Sequence, residues 1–447
     1  MPFFENFLKG LPEYHSLFTS IEKNRLPCGV TGVSHIHRAH LITTLCDALH
    51  RRAVILVSDE GEGTRLCEDI NSMGGDALLF PARDFNFRPS GAASKQYEQE
   101  RLGVLSKLLE GNYKQVIACT DAAMQYTVSP ERLFRRNMTL KEGQAVSPET
   151  VCGVLVAGGY TRCDLVEGPG QFARRGGILD LFTTDADEPT RIEFWGDEID
   201  CMGRFDVISQ RRTSTVKTLH IPPACEILFD SPEELADQIE SVAKRLRSEN
   251  AKAAKARLLA DAEVLRSGGS IGAVDRFLPL IEEIPCTIFD YTADALLFVS
   301  ETSKVKEKAR VFHWQLSEDI KALFEEGVLC RGLDRFAMSF DELTEKYTEQ
   351  GAIFLDAFAR GSFDVPVKEL TSFTVKNSTP FSGNINQLYD DIEPLLSRKF
   401  AVAVLAGGEK GAKILADDLR SKGLPADYSD TPNDVPYGKI AHIQAVF

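Results

Sequence analysis

The sequence predicts an α/β protein: a parallel-sheet domain interrupted by an inserted antiparallel α+β domain, then a truncated C-terminal α/β unit. Three observations predict it. Short apolar runs alternate with helical stretches up to about residue 120, which is the signature of a parallel sheet with helices on its faces. From about 161 to 221 the chain instead runs strand after strand, with turn residues at each junction. Strand and helix patterns then alternate again, around 294–326 and after 400.

Taken in order, Phe4, Phe7, Leu8, Leu11, Phe18 and Ile21 fall at roughly helical spacing, broken by Pro12, and read as one or two short docking helices. AVILVS (53–58), ALLF (77–80) and QVIAC (115–119) are β-rich runs separated by helical stretches at 62–73 and 95–110. The strand-rich block carries CDLVEG, GQFARRGGILDLF, TRIEFWG, DEIDCMGRFD and TVKTLHI, packed on a helix near 147–157. Residues 231–267 return to helix, and DALLFVS (294–300) precedes a helical stretch at 303–326. These later elements are expected to complete the first sheet. The reading is 1–137 with 222–350 as one domain, 138–221 as its insertion, and 351–447 as a linker plus a partial α/β unit. Within that last block 351–375 reads as a connector, and the chain is expected to stop inside a domain, on the apolar run IAHIQAVF.

Bulk composition narrows the function classes. A chain of 447 residues implies two to four domains. The net charge of −15 repels a phosphate backbone at long range, which argues against non-specific DNA binding as the main activity. Ten cysteines with no C-x-x-C pair suggest a reduced compartment and no structural zinc. No apolar run reaches the roughly 18 residues that a membrane span needs. The expectation is a cytoplasmic, monomeric chain with no membrane partner.

Residues 29–36, Gly-Val-Thr-Gly-Val-Ser-His-Ile, sit between a strand and a helix, where a phosphate-binding loop belongs. Gly29 and Gly32 are present. A working loop also needs a second flanking glycine, a lysine for the β/γ charge and a Ser/Thr for magnesium. Ser34, His35 and Ile36 stand in those places. The metal-binding aspartate expected at the end of a buried strand is replaced too, by Ser300 and Glu301. Loss at both positions implies a degenerate, non-catalytic nucleotide site with no cofactor. His35, His37 and His40 lie close together, but no cysteine or carboxylate in that short segment completes a metal site.

The stretch from Gly159 to Arg212, with GYTRCDLVEGPGQFARRGGILDLF and RIEFWGDEIDCMGRFDVISQRR, resembles the damage-recognition protein UvrB. It resembles more closely the UvrB-like N-terminal region of the transcription-repair coupling factor family. The resemblance is strong over about 25–225, continuous to 350 and thin beyond. Three features favour the coupling factors: the defective phosphate loop, the run PARDFNFRPSGAASKQYEQERLGVL (81–105), which leaves no room for UvrB's long aromatic hairpin, and the pairs Asp84–Arg88 and Gln99–Leu102, which look like the coupling factors' own version of that loop. The alternative is a UvrB-type ATP-dependent DNA helicase.

The resemblance implies a RecA-like first domain and an inserted domain that docks UvrA through Arg162, Arg175, Arg191 and Glu193. Where UvrB has a further arginine this chain has Ala173, with Arg174 beside it. It also implies a longer parent, an ATP-dependent DNA translocase whose missing part supplies ATP, Mg²⁺, RNA polymerase and double-stranded DNA binding. In TRIEFW, alternation sends Ile192 and Phe194 to the core and Arg191, Glu193 and Trp195 outward, the make-up of a protein-binding hot spot. Residues 160–220 hold eight basic and eleven acidic side chains, which disfavours a DNA-binding face. An outward Arg191 is expected to contribute little to folding.

Overall fold

The computed structural model describes residues 8–88, 96–247, 251–269, 271–375, 385–400, 402–406, 408–429 and 440–444. Phe4 and Phe7 therefore lie outside the described residues, as does part of the 81–105 run. Helix α1 (Pro12–Glu22), which follows a short helical end at Leu8 and Lys9, starts on its proline, where a missing N–H costs nothing, and buries Tyr14, Leu17 and Ile21.

Next come β1 (Cys28–Thr31), α2 (His35–Leu49), β2 (Ala53–Val57), α3 (Glu60–Ser72), β3 (Ala77–Phe80), α4 (Gln96–Glu110) and β4 (Gln115–Cys119). The insertion follows: β5 (Met138–Lys141), α5 (Pro148–Ala157), β6 (Thr161–Arg162), β7 (Gln171–Arg175), β8 (Ile178–Phe182), β9 (Thr190–Trp195), β10 (Glu198–Phe205), β11 (Arg212–Thr215) and β12 (Thr218–Ile221). The chain returns through α6 (Pro232–Arg245) and α7 (Lys252–Arg266) to β13 (Leu296–Ser300), α8 (Thr302–Glu325), α9 (Phe340–Glu349), β14 (Ile353–Asp356) and β15 (Glu369–Ser372). The last unit holds α10 (Ile385–Ser397), β16 (Val402–Ala406), α11 (Glu409–Ser421), β17 (Ala426–Ser429) and β18 (Ile440–Gln444).

The main sheet has seven parallel strands in the order β15-β1-β14-β13-β2-β4-β3. Every residue of β1, β2, β4, β13 and β14 is buried, as strands covered on both faces require. Each buried Leu, Ile or Phe there stabilises the fold by ~1.5–3 kcal/mol. The expected boundary at residue 350 needs correction. Residues 351–375 are not a connector, because β14 lies between β1 and β13 and β15 pairs with the outer side of β1. IFLD is as short as ALLF and ends on an aspartate, and its place in the sheet comes from the two neighbours that satisfy its backbone.

The insertion is closed at its base by the antiparallel pair β5–β12. Its six-stranded sheet runs β11-β10-β9-β8-β7-β6, antiparallel except for β6–β7. Ser147 caps α5 by accepting the Thr150 N–H at 3.1 Å. Val151 and Leu155 of α5 then pack with Phe172, Leu179, Leu181, Ile192, Ile199 and Met202 into a core of the domain's own.

A buried ionic cluster joins the insertion's exit to the host. Arg101 donates to both oxygens of Glu226, at 2.6 and 3.3 Å, and to the Pro81 carbonyl at 2.8 Å. Arg83 donates to Asp275 at 2.5 Å, while Glu98 accepts the Glu226 N–H at 2.9 Å. Burial alone would raise the Glu226 carboxyl, but Arg101 and Arg83 outweigh it and hold it below its ordinary value. In the last unit β16, β18 and β17 form a parallel sheet with β18 in the middle, and Leu388, Ile392, Leu419 and Leu424 fill its core.

Candidate docking face and relic phosphate loop

Strand alternation gives the insertion's sheet two faces. Leu179, Ile192 and Met202 stand in register and point into the core with α5. On the opposite face the register aligns Arg175, Ile178, Glu193 and Cys201 in one row. The adjoining row is Ala173, Asp180, Arg191 and Gly203. Three of the four anticipated docking residues, Arg175, Arg191 and Glu193, therefore share the outer face. Arg162 does not. It is in register with Phe172, so it leaves the sheet on the α5 side. There burial raises the Cys152 thiol, and Arg174 and Arg162 pull it back.

The outer face is already partly knitted together. Arg191 donates Nε and one Nη to the two oxygens of Asp180, at 2.6 and 2.8 Å, and donates again to Gln210 at 3.0 Å. Its guanidinium carbon lies 4.5 Å from the centre of the Phe205 ring. Hydrogen bonding to Asp180 raises the Arg191 pKa above its ordinary value. Arg191 is thus a fork bonded to β8 and to the turn after β10, which argues against the expectation that it contributes little to folding. The cause is Asp180, which sits directly opposite on β8.

What remains open lies around it. Glu193 accepts from Arg212 at 3.3 Å, and Arg175 donates to the Asp164 carbonyl at 2.6 Å while staying exposed. Trp195 is 84% exposed and Ile178 40%, both on this face. A large exposed aromatic among paired charges is the composition of an interface hot spot. Alternation in ILDLF puts Ile178 and Asp180 on one face. Setting Ile178 beside Glu193 and Asp180 beside Arg191 needed the register of two strands.

The 29–36 run spans the end of β1, the turn at Gly32 to Ser34 and the first turn of α2, so the expected loop is shorter than the sequence suggested. Gly32 has φ +83°, and a Cβ there would meet the Phe373 carbonyl at 1.9 Å, so only glycine fits. The Val33 N–H donates to the Asp356 carbonyl at 3.3 Å, an amide used within the fold. Ser34 bonds His37 at 2.8 Å, and His35 turns away to Asp69 at 2.9 Å. Ile36 is exposed. Burial lowers the His37 pKa.

The residue missed by sequence reasoning is Arg38. Its guanidinium lies between the relic loop and the end of β13, donating to the Val33 carbonyl at 3.2 Å, Glu62 at 3.0 Å and Ser300 at 2.5 Å, and also to Glu301. In HIHRAH it is one of several polar residues, and nothing in the sequence separates it from a solvated side chain.

A RecA-like domain with a defective phosphate loop, carrying an inserted sheet domain, is the class these features define. Residues 138–226 match the family model of the UvrB interaction domain. The chain is 24% identical over 448 residues to the transcription-repair-coupling factor of Bacillus subtilis (strain 168), covering 98% of this chain and 38% of that protein. A transcription-repair-coupling factor of Staphylococcus epidermidis is 22% identical over 422 residues, 92% of this chain and 36% of that protein. The UvrABC system protein B of Clostridium botulinum (strain Langeland) is 24% identical over 472 residues, 96% of this chain and 70% of that protein. The chain is thus similar along most of its length to part of transcription-repair-coupling factors and to UvrABC system protein B, and it carries a match to the UvrB interaction domain. It spans about 38% of the length of the Bacillus relative.

Proposed function

We propose that this region is the adaptor of a transcription-repair coupling factor, presenting its insertion to the excision-repair protein UvrA. The observation that carries the reading is the outer face of the six-stranded sheet. Trp195 stands 84% exposed there, beside Ile178, Arg175 and the Glu193–Arg212 pair. In this reading the first domain is a nucleotide-silent scaffold. Ser34, His35, Ile36 and Ser300 supply neither the lysine nor the metal ligand that phosphoryl transfer needs. ATP hydrolysis, DNA translocation and contact with RNA polymerase belong to other parts of the parent protein.

The alternative, a UvrB-type helicase, draws on the similarity to UvrABC system protein B. Two measurements on the full chain test the proposal, the first the docking face and the second the choice between the readings. Binding to purified UvrA, by pull-down or calorimetry, should be saturable for the wild type and weakened in Arg175→Ala. Titration with ATP and Mg²⁺ should give no saturable heat. Tight ATP binding would reverse the assignment in favour of the UvrB-type reading, and absent UvrA binding would remove the docking face.

A further inference from the structure

We propose that the phosphate end of the relic site has become a guanidinium site, filled in cis by Arg38. The proposal extends the reading of this domain as nucleotide-silent and says what took the nucleotide's place.

Arg38 has 6% side-chain exposure, and its two carboxylate partners, Glu62 and Glu301, have 7% and 17%. The four acceptors come from three places in the chain: the relic loop (Val33), α3 (Glu62) and the β13–α8 junction (Ser300, Glu301). The acceptors are themselves organised. Ser300 donates to Glu62 at 2.9 Å, and Ser58 donates to the other Glu62 oxygen at 2.8 Å. Glu301 adopts φ 54°, ψ 67°, a left-handed conformation that a side chain rarely takes without compensation, and here its carboxylate meets the guanidinium.

The polarity is opposite to that of a phosphate site. Phosphate is bound by cations and inward-facing amides. Removing the Arg38 side chain would leave Glu62 and Glu301 facing one another, a place that takes a cation and rejects a triphosphate. A guanidinium fits because its planar fork reaches acceptors on several sides at once, whereas an ammonium is a point charge.

The test is chemical rescue of the full chain carrying Arg38→Gly. Its melting temperature should fall by several degrees, and millimolar methylguanidinium chloride should recover much of the loss. Equal sodium chloride should not. An unchanged melting temperature, or equal recovery by sodium chloride, would overturn the proposal. Should Arg38→Gly yield no soluble protein, Arg38→Lys and Glu301→Gln take its place. Each should lower the melting temperature, with the double variant losing less than the sum, and strictly additive losses would refute a direct contact. Titration of the same samples with ATP and Mg²⁺ separates the two ideas. Saturable binding by the wild type would end the nucleotide-silent reading and this proposal with it. Failed rescue with ATP still unbound would end the proposal alone.

Discussion

Arg38 on α2, beside the relic loop, and Arg191 on the insertion both sit against carboxylates, with side chains 6% and 26% exposed. The difference lies in what surrounds them. Around Arg38 the chain supplies every acceptor and leaves little surface. Around Arg191 the arginine is satisfied too, but it braces a face on which Trp195, Ile178 and Arg175 stay open. An arginine in a motif can therefore be the brace of a surface and not its contact, and the partners built by neighbouring strands decide which.

The most severe test of this comparison lies at its buried extreme. Arg101 and Glu226 both have 0% side-chain exposure. Arg101→Ala should lower stability by ~3–5 kcal/mol, because it strands a buried carboxylate, and a denaturant melt would register it. A loss under ~1 kcal/mol would mean that burial of a pair says little about its weight in this fold.

Arg191→Ala comes next. Asp180 has 8% side-chain exposure and would lose both of its hydrogen bonds to arginine, so a cost of about 2 kcal/mol is expected, discounted for the partly open arginine. Any loss of UvrA binding should then accompany a lower melting temperature. An unmoved melting temperature with weakened binding would restore Arg191 as a direct contact.

Trp195→Ala should show the reverse pattern. UvrA binding should weaken at least tenfold, ~1.4 kcal/mol, while the melting temperature barely moves, since the ring touches little of its own domain. Parallel loss of stability would blur the distinction between brace and contact.

The smallest effect concerns Glu98. Burial pushes its carboxyl above the ordinary value of 4.5, and Arg83 pulls it back only in part. Ionised Glu98 therefore opposes folding above its folded pKa and costs nothing below 4.5. Glu98→Gln should stabilise the chain modestly at neutral pH, with the gain fading as pH falls through the raised value towards 4.5. A gain that grew with acid would contradict the burial argument.

What the sequence by itself determined was whatever rests on local pattern. The alternating βα block, most strands of the insertion and the helices follow from periodicity and turn residues and lie close to where they were expected, although CDLVEG forms no strand and the 29–36 run spans the end of β1, a short turn and the start of α2. Alternation in TRIEFW likewise sorted Ile192 and Phe194 from Arg191, Glu193 and Trp195. Tertiary structure decided everything that depends on partners distant in sequence. IFLD became a central strand because β1 and β13 flank it. Arg162 fell on the other face from Arg175 through its pairing with Phe172. Arg38 met Ser300 and Glu301 from the far side of the insertion, and Arg191 met Asp180 across a strand. Periodicity is written in neighbouring residues, but a hydrogen bond between remote ones exists only once the chain has brought them together.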